Sequence, residues 1–239
     1  MSERHFFVHL QKTAGTSLLF RIRRQFDRSQ IYPLEIDRGN VAAVISVEHL
    51  QRRFAEHHDR LRVITGHFPL CVSEILDDQF TTMTLLREPV DRTLSYLRHH
   101  REMTPEERDR PLEAIYDDEF RFHGLIHNHM VKMFSLTPEE MTDGTLTRVE
   151  FTPERLASAK RRLASVDCVG LQDGVDEFCD LLARRYRWEL GAPTRVNRTR
   201  PVDVAESFRR RVAADNADDL ELFEYGRELV AQRRRQPCG

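Results

Sequence analysis

An α/β architecture, a parallel sheet with helices on both faces, is the fold class that three features of this sequence predict. Short apolar runs of strand length alternate with segments whose apolar residues recur every three or four positions. The first such run, His5-Phe6-Phe7-Val8, breaks straight into a small, hydroxyl-rich loop that opens a helix. No internal repeat or low-complexity linker interrupts the alternation. Strands separated by helices pair in parallel, and their sheets are covered on both faces.

The elements follow in order. After the opening strand and its loop, Leu18, Leu19, Ile22 and Phe26 mark a helix over 16–26. Its other side carries Arg21, Arg23, Arg24 and Arg28, which reads as a solvated face. A polar stretch with Pro33 and Gly39 is irregular, and Ser46 then caps a helix through Val47, Leu50 and Phe54 to about residue 58. Residues 61–65 form a second strand ending at Gly66-His67-Phe68, and 81–86 form a third that runs into Arg87-Glu88-Pro89-Val90. Val90, Leu94 and Leu97 line the next helix, and Thr104-Pro105-Glu106-Glu107 reads as a capped helical start. Residues from about 98 to 150 are expected as helices and loops over the sheet, a mainly helical lid. Thr152-Pro153-Glu154 opens a helix to about residue 164, 166–171 is a fourth strand, and Asp173 is expected to cap the helix after it. A basic loop at 195–201 precedes a helical end with Leu220, Phe223, Leu229 and Val230.

At 239 residues, 40% apolar and 32% charged, the chain reads as one soluble domain over 1–239. A net charge of −2 gives no global attraction to nucleic acid, so any anion affinity is local. No apolar run reaches the roughly 18 residues of a membrane span. The start enters a strand without the apolar core of a secretory signal, the expectation for a cytoplasmic protein. Cys71, Cys168, Cys179 and Cys238 are scattered, without metal-site spacing, and read as free thiols. The dominance of arginine over lysine points to a GC-rich, bacterial genome.

The only lysines are Lys12, Lys132 and Lys160, so one in the first loop stands out. A strand–loop–helix turn leaves unpaired N–H groups at the positive end of a helix, which suits a phosphate group. Lys12 adds charge, and Thr13, Thr16 and Ser17 offer hydroxyls. The loop has its lysine before the single Gly15, unlike the nucleotide-binding pattern in which lysine follows a second glycine. An ordinary turn is the other reading. The strand ends add His67 and Arg87, with Ser95 two turns into the following helix. Arginine and a helix hydroxyl suit a second compact dianion; a sheet-end ion pair for Arg87 and a carbonyl-bonded Ser95 are the structural alternatives. The pairs His57-His58, His99-His100 and His127/His129 lack a complete metal-ligand frame and read as structural, although His99, His100 and Arg101 extend the helix that starts beside Arg87.

Lys12-Thr13-Ala14-Gly15-Thr16-Ser17 resembles the 5′-phosphosulfate loop of sulfotransferases that use 3′-phosphoadenosine 5′-phosphosulfate (PAPS). Leu86-Arg87-Glu88-Pro89-Val90-Asp91-Arg92 with Ser95-Tyr96 is similar to the same family's 3′-phosphate motif. Gly66-His67-Phe68 matches its glycan branch, related to the heparan sulfate O-sulfotransferases, as do Asn128, Val169-Gly170-Leu171 and the helix from Asn216 to Tyr225. The resemblance covers most of the chain. It implies a P-loop-like sheet and sulfuryl transfer from PAPS to an acceptor hydroxyl without a metal, leaving PAP as product. It implies Lys12 at the leaving phosphate, residues 13–17 (Thr13, Ala14, Gly15, Thr16, Ser17) around that phosphate, Arg87 and Ser95 on the 3′-phosphate, and His67 as base. A late basic loop closes over the nucleotide in this family, and Arg198 and Thr199 are the matching candidates. The expected acceptor is a carbohydrate, a glycolipid or another small alcohol. A P-loop-type kinase using ATP with Mg²⁺, or a non-catalytic nucleotide-binding protein, are the alternatives on this fold.

Overall fold

A computed structural model describes residues 3–192 and 204–235. Five parallel strands, β1 (Arg4–Val8), β2 (Ile31–Tyr32), β3 (Val63–Gly66), β4 (Phe80–Leu86) and β5 (Cys168–Leu171), form one sheet in the order β2-β3-β1-β4-β5. The alternation of β1 shows why both faces are covered. Phe6 and Val8 enter one apolar cluster with Leu50, Ile64 and Phe134. Phe7 enters another with Leu18, Ile22, Phe178 and Trp188. The short edge strand β2 lies in the stretch expected to be irregular; two residues carry too little periodicity to be read.

α1 (Gly15–Gln25) follows the first loop and packs Leu18 and Ile22 on the sheet. One member of its arginine face is not solvated. Arg21 is buried, paired to Asp176 at 2.9 Å and donating to the carbonyls of Leu190 and Gly191. α2 (Ala42–Ile45) and α3 (Val47–Glu56) cover the β2–β3 side, and Ser46 caps α3 by accepting the His49 N–H. α4 (Cys71–Ile75) follows β3. α5 (Pro89–Met103) is capped by Glu88, whose carboxylate accepts the N–H groups of Val90 and Asp91.

The expected lid differs from the observed arrangement in its boundaries. α5 continues to Met103, and a 3₁₀ turn at Pro105–Glu107 leads to α6 (Leu112–Tyr116) and α7 (Glu119–Arg121). A π-helical turn spans Phe122–Ile126. These elements share a separate core: Val90, Leu94, Leu97, Ile115, Tyr116 and Ile126, closed by Phe208 and Val212. By contrast α8 (His129–Ser135) places Met130, Val131, Met133 and Phe134 in the main sheet core. Four apolar residues in five positions cannot be left facing water, and the helix sinks against the sheet.

α9 (Pro153–Ser165) begins at a Thr152 cap as expected. After β5, α10 (Val175–Tyr186) is capped by Gly174 rather than Asp173, because the Gly174 N–H closes a tight turn on Leu171 and leaves Asp173 at its exposed tip. α11 (Glu206–Asp215) and α12 (Ala217–Arg235) complete the chain. Cys71, Cys168 and Cys179 are buried free thiols, and Cys238 lies outside the described residues. Among the described residues no helix is long and apolar enough to cross a membrane.

His5 is buried among the rings of Phe26, Tyr186 and Trp188, and its Nδ1 has no partner. Burial pushes its pKa down to about 4, against opposing carboxylates at Glu3 and Asp167. An unfolded His5 takes a proton near pH 6.5 that the folded one refuses until about pH 4. Its contribution to stability is therefore complete above 6.5 and lost as pH falls toward 4, roughly 3 kcal/mol in all. Urea unfolding at pH 7.5 and pH 4.5 should show His5→Phe losing clearly less stability across this interval than the parent. Identical losses would show that His5 is not the titrating group.

Candidate active site

Strand register puts the candidate groups side by side. Val8 pairs with Gly66 on one side and Thr84 on the other. The chain past β1 therefore advances level with His67 next to β3 and with Arg87 next to β4. Two contacts follow directly: His67 Nδ1 lies 2.9 Å from the His9 carbonyl, and Arg87 Nη1 donates to the Lys12 carbonyl at 3.0 Å.

The loop between β1 and α1 is built from strained backbone. Lys12 and Ala14 hold φ of 67° and 65°, a left-handed conformation that side chains resist. Such residues turn successive N–H groups toward one concavity. The Thr13 hydroxyl donates to the Leu10 carbonyl at 2.9 Å and locks the turn. Thr13 is thus a structural donor and its side chain is not free for a ligand. The Ser17 N–H bonds the Ala14 carbonyl at 3.0 Å, so of the expected phosphate-binding amides this one is already used. Among the described residues the N–H groups of 12–16 have no backbone acceptor. Thr16 is exposed and Ser17 nearly buried at the start of α1.

Gly15 is required by a close approach: a Cβ there would overlap the His9 ring. That ring stacks on Phe7 and sits 4.9 Å from the His67 ring. Burial, and then the charge His67 would carry, hold His9 neutral well below its usual pKa. In the sequence His9 stands just past the first strand run, where it is the second candidate for a base after His67. A single histidine before a loop carries no signal for a ring packed beneath that loop's glycine.

A carbonyl only accepts, so the contact to His9 fixes the His67 proton on Nδ1 and leaves the Nε2 lone pair unprotonated. Burial lowers the His67 pKa, partly offset by that hydrogen bond. Its own N–H reaches the Val44 carbonyl at 2.7 Å, which ties α2 to the end of β3. The preceding Gly66 has φ 154° with the Phe68 ring where a Cβ would lie, so the turn that presents His67 needs glycine.

Lys12 and Arg87 concentrate positive charge. Burial and then Arg87 lower the Lys12 pKa, with Glu102 opposing. Arg87 makes no ion pair among the described residues; Glu88, its sequence neighbour, is occupied in capping α5. The Arg87 Nε is buried without a partner among the described residues. Ser95, two turns on and 4% exposed, lies one helical repeat beyond Asp91 on α5. Farther along, His99 feels the charges of Lys12 and Glu102, whereas His100 is turned away to Glu107 at 3.0 Å. Of the two adjacent histidines only His99 is brought toward the loop. Arg198 and Thr199 lie outside the described residues.

Beneath the site lies a buried ionic layer whose Arg92, Asn128 and Asn216 stand in the motifs quoted above, but whose meeting with Lys132 no motif shows. Arg92 is fully buried and donates to the Leu125 and Ile126 carbonyls, and Lys132 Nζ donates to Gly124 at 2.5 Å. Asp219 accepts the N–H groups of Met130 and Val131, while the Asn128 N–H donates to Asn216 Oδ1 and Asn128 Oδ1 accepts the Asp219 N–H across the ends of α8 and α12. His129 is buried beside Arg92, Lys132 and His67, with burial the main cause of its lowered pKa. The available signal was Lys132, a lone cation inside the apolar run Met130-Val131-Lys132-Met133-Phe134. Among the described residues no group of His, Cys, Asp and Glu has the makings of a metal site.

At the strand ends the parallel sheet gathers an amide-rich loop, two cations and an oriented imidazole, an arrangement suited to receive an anionic group. No family model matches the chain. It is 25% identical to heparan-sulfate 6-O-sulfotransferase 2 of Gallus gallus, over 95% of this chain and 66% of that relative's length. It thus spans about two thirds of that protein. Its fold is similar to that of a sulfotransferase from Alicyclobacillus acidocaldarius, with a TM-score of 0.50 and 17% identity over 94% of this chain and 95% of the other. The sequence likeness supports a sulfotransferase reading, and the structural likeness is one of fold.

The Gly15–His9 contact yields a sharp test. Gly15→Ala should cost about 1–3 kcal/mol in urea unfolding, the usual scale for overpacking. Adding His9→Ala should recover most of that loss, giving a large coupling in a double-mutant cycle. Simple additivity would mean that the ring does not press on this position.

Proposed function

We propose that this protein transfers a sulfuryl group from PAPS to a hydroxyl of a carbohydrate or similar small alcohol. The observation that carries the reading is the convergence at one sheet edge of the amides of 12–16 and the cations Lys12 and Arg87, which among the described residues have no backbone acceptor and no ion pair respectively, with the lone pair of His67. The residues fit the donor's two anionic ends: the strained loop is a phosphate cradle closed below by His9, and Arg87 Nε is an orphaned donor inside the site. The carbohydrate acceptor is supported by the name of the chicken relative.

When bound, PAPS supplies a sulfuryl group on a phosphate leaving group, passed in line to the acceptor oxygen. The amides of 12–16 and the hydroxyls of Thr16 and Ser17 hold the 5′-phosphate. Lys12 stabilises the charge that grows there as the bond to sulfur breaks, an interaction strongest in the transition state. Its partly desolvated ammonium, close to Arg87 and without a direct carboxylate partner among the described residues, is suited to a dianion. Arg87, braced by the Lys12 carbonyl, and Ser95 hold the 3′-phosphate. His67 Nε2 takes the acceptor hydroxyl's proton, while Nδ1 keeps its own proton on His9 and holds the ring in place. Arg198 and Thr199 are proposed to join the nucleotide contacts.

PAP should raise the melting temperature strongly and ATP with Mg²⁺ should not, since Arg87 and Ser95 are assigned to a 3′-phosphate. Arg87→Ala should weaken PAP far more than adenosine 5′-phosphosulfate. Equal stabilisation by ATP and PAP would count decisively against the assignment.

His67→Ala should leave PAP affinity within a few-fold of the parent and lower turnover by about 10²–10⁴. The pH profile has a defined sign. Burial lowers the His67 pKa, and the base acts only when unprotonated, so activity should persist through pH 6.5 and fall only below it. An acid limb centred above 6.5, or loss of PAP binding in His67→Ala, would remove His67 from the role of base.

A further inference from the structure

A cleft of about 350 Å³ opens between α9 and α12, apart from the nucleotide site. Its orientation follows from the topology. α9 runs directly into β5, so its carboxyl end lies at the amino edge of the sheet. α12 ends at the same edge, where Arg233 donates to the carbonyls of Ala164 and Val166 at 2.7 Å each. Both helices therefore point their amino ends, and the cleft between them, toward the edge that carries Lys12, His67 and Arg87. A chain of contacts also connects the two places. Asp218 in the cleft accepts a 3.4 Å hydrogen bond from Asn128, and the next residue, His129, lies within electrostatic reach of His67. The His127 ring stands edge-on to Phe151 at 4.8 Å.

The lining has two chemically different sides. Phe151, Pro153, Leu156 and Ala157 offer an apolar wall. On the polar side Lys160 and Glu221 neutralise one another at 2.6 Å. Asp218 has no ion pair among the described residues, so the cleft keeps one unbalanced carboxylate. The Thr152 oxygen accepts the Arg155 N–H, and its hydroxyl is turned to the Glu154 carboxylate, which leaves Asp218 as the polar anchor of the cleft. Burial, reinforced by Glu221, raises the Asp218 pKa.

We infer that this cleft is an acceptor subsite for an uncharged sugar ring. The C–H face of a pyranose would lie on Phe151 and Leu156 while its hydroxyls donate to Asp218. The volume is in the range of small-ligand clefts, about 300–1,000 Å³, and large enough for one ring. A sulfated or carboxylated ring is disfavoured here, because its charge would face Asp218 without a free cation to meet it. The inference rests on the carbohydrate-acceptor reading and adds that a non-reacting, neutral unit of the acceptor is held at α9 and α12.

Saturation-transfer NMR with maltotriose, cellotriose and chitotriose, beside a heparin-derived tetrasaccharide, tests this on the full chain. At least one neutral trisaccharide should bind the parent. Ala157→Trp, which fills the cleft from an exposed helix position, and Asp218→Ala should each weaken that binding by about tenfold or more. Calorimetry should show PAP affinity unchanged in both variants. No binding by any neutral trisaccharide, equal binding by Ala157→Trp, or a heparin tetrasaccharide displaced by Ala157→Trp would each overturn the subsite. If PAP fails to bind even the parent while trisaccharide binding still depends on Ala157 and Asp218, the nucleotide reading falls and the subsite stands.

Discussion

The parallel pairing of β1 with β3 on one side and β4 on the other is the constraint on which the candidate site depends. A parallel ladder repeats at fixed spacing, so pairing Val8 with both Gly66 and Thr84 sets how far each neighbour projects beyond the sheet. His67 then falls beside His9, and Arg87 beside the loop that contains Lys12. A slip of one residue would turn Phe7 toward the other layer and carry His67 away from the carbonyl that orients it. Core packing and site geometry are thus enforced by the same register.

The site is supported from below by a layer in which charge is buried but bonded. Arg92 and Lys132 gather the carbonyls at the end of the π-helical turn, and Asp219 gathers the amides that open α8. Each group satisfies backbone atoms that helix ends leave unpaired. Burial still dominates their energetics, pushing Asp219 up to about 6 and Lys132 down to about 8. Removing one member would strand the others in a dry environment, which ties α5, α8 and α12 into one rigid support. π-helical turns are frequent at functional sites, and here one carries His123 and ends against His127.

Electrostatic character changes across the sheet edge. Around the loop, Lys12, Arg87 and the neutral imidazoles of His9 and His67 make a region that favours an anion. Toward α9 and α12, among the described residues, the unbalanced group in the cleft is Asp218. The two regions are separated by Asn128 and His129, whose backbone and side chains belong to the buried support. An anionic donor and a neutral part of an acceptor would be sorted to different places by charge alone.

Local pattern was enough for the α/β class, because strand runs and helix periods are written in consecutive residues. Lys12, His67 and Arg87 were also legible, since each ends an apolar run or opens a loop and a parallel sheet collects such ends at one edge. The short strand β2, the descent of α8 into the core and the true extent of the helical cap were not, because each depends on which surfaces meet. The Thr13 hydroxyl, available in the sequence as a ligand donor, is taken by Leu10 once the turn closes. Likewise the tautomer of His67, the ring of His9 against Gly15 and the capture of carbonyls by Arg92 and Lys132 join residues distant in the chain. Residue types and their order determined which chemistry was available. Only the packed structure decided which of those groups keep a free proton, lone pair or charge, because burial and a competing backbone partner settle that question at each atom.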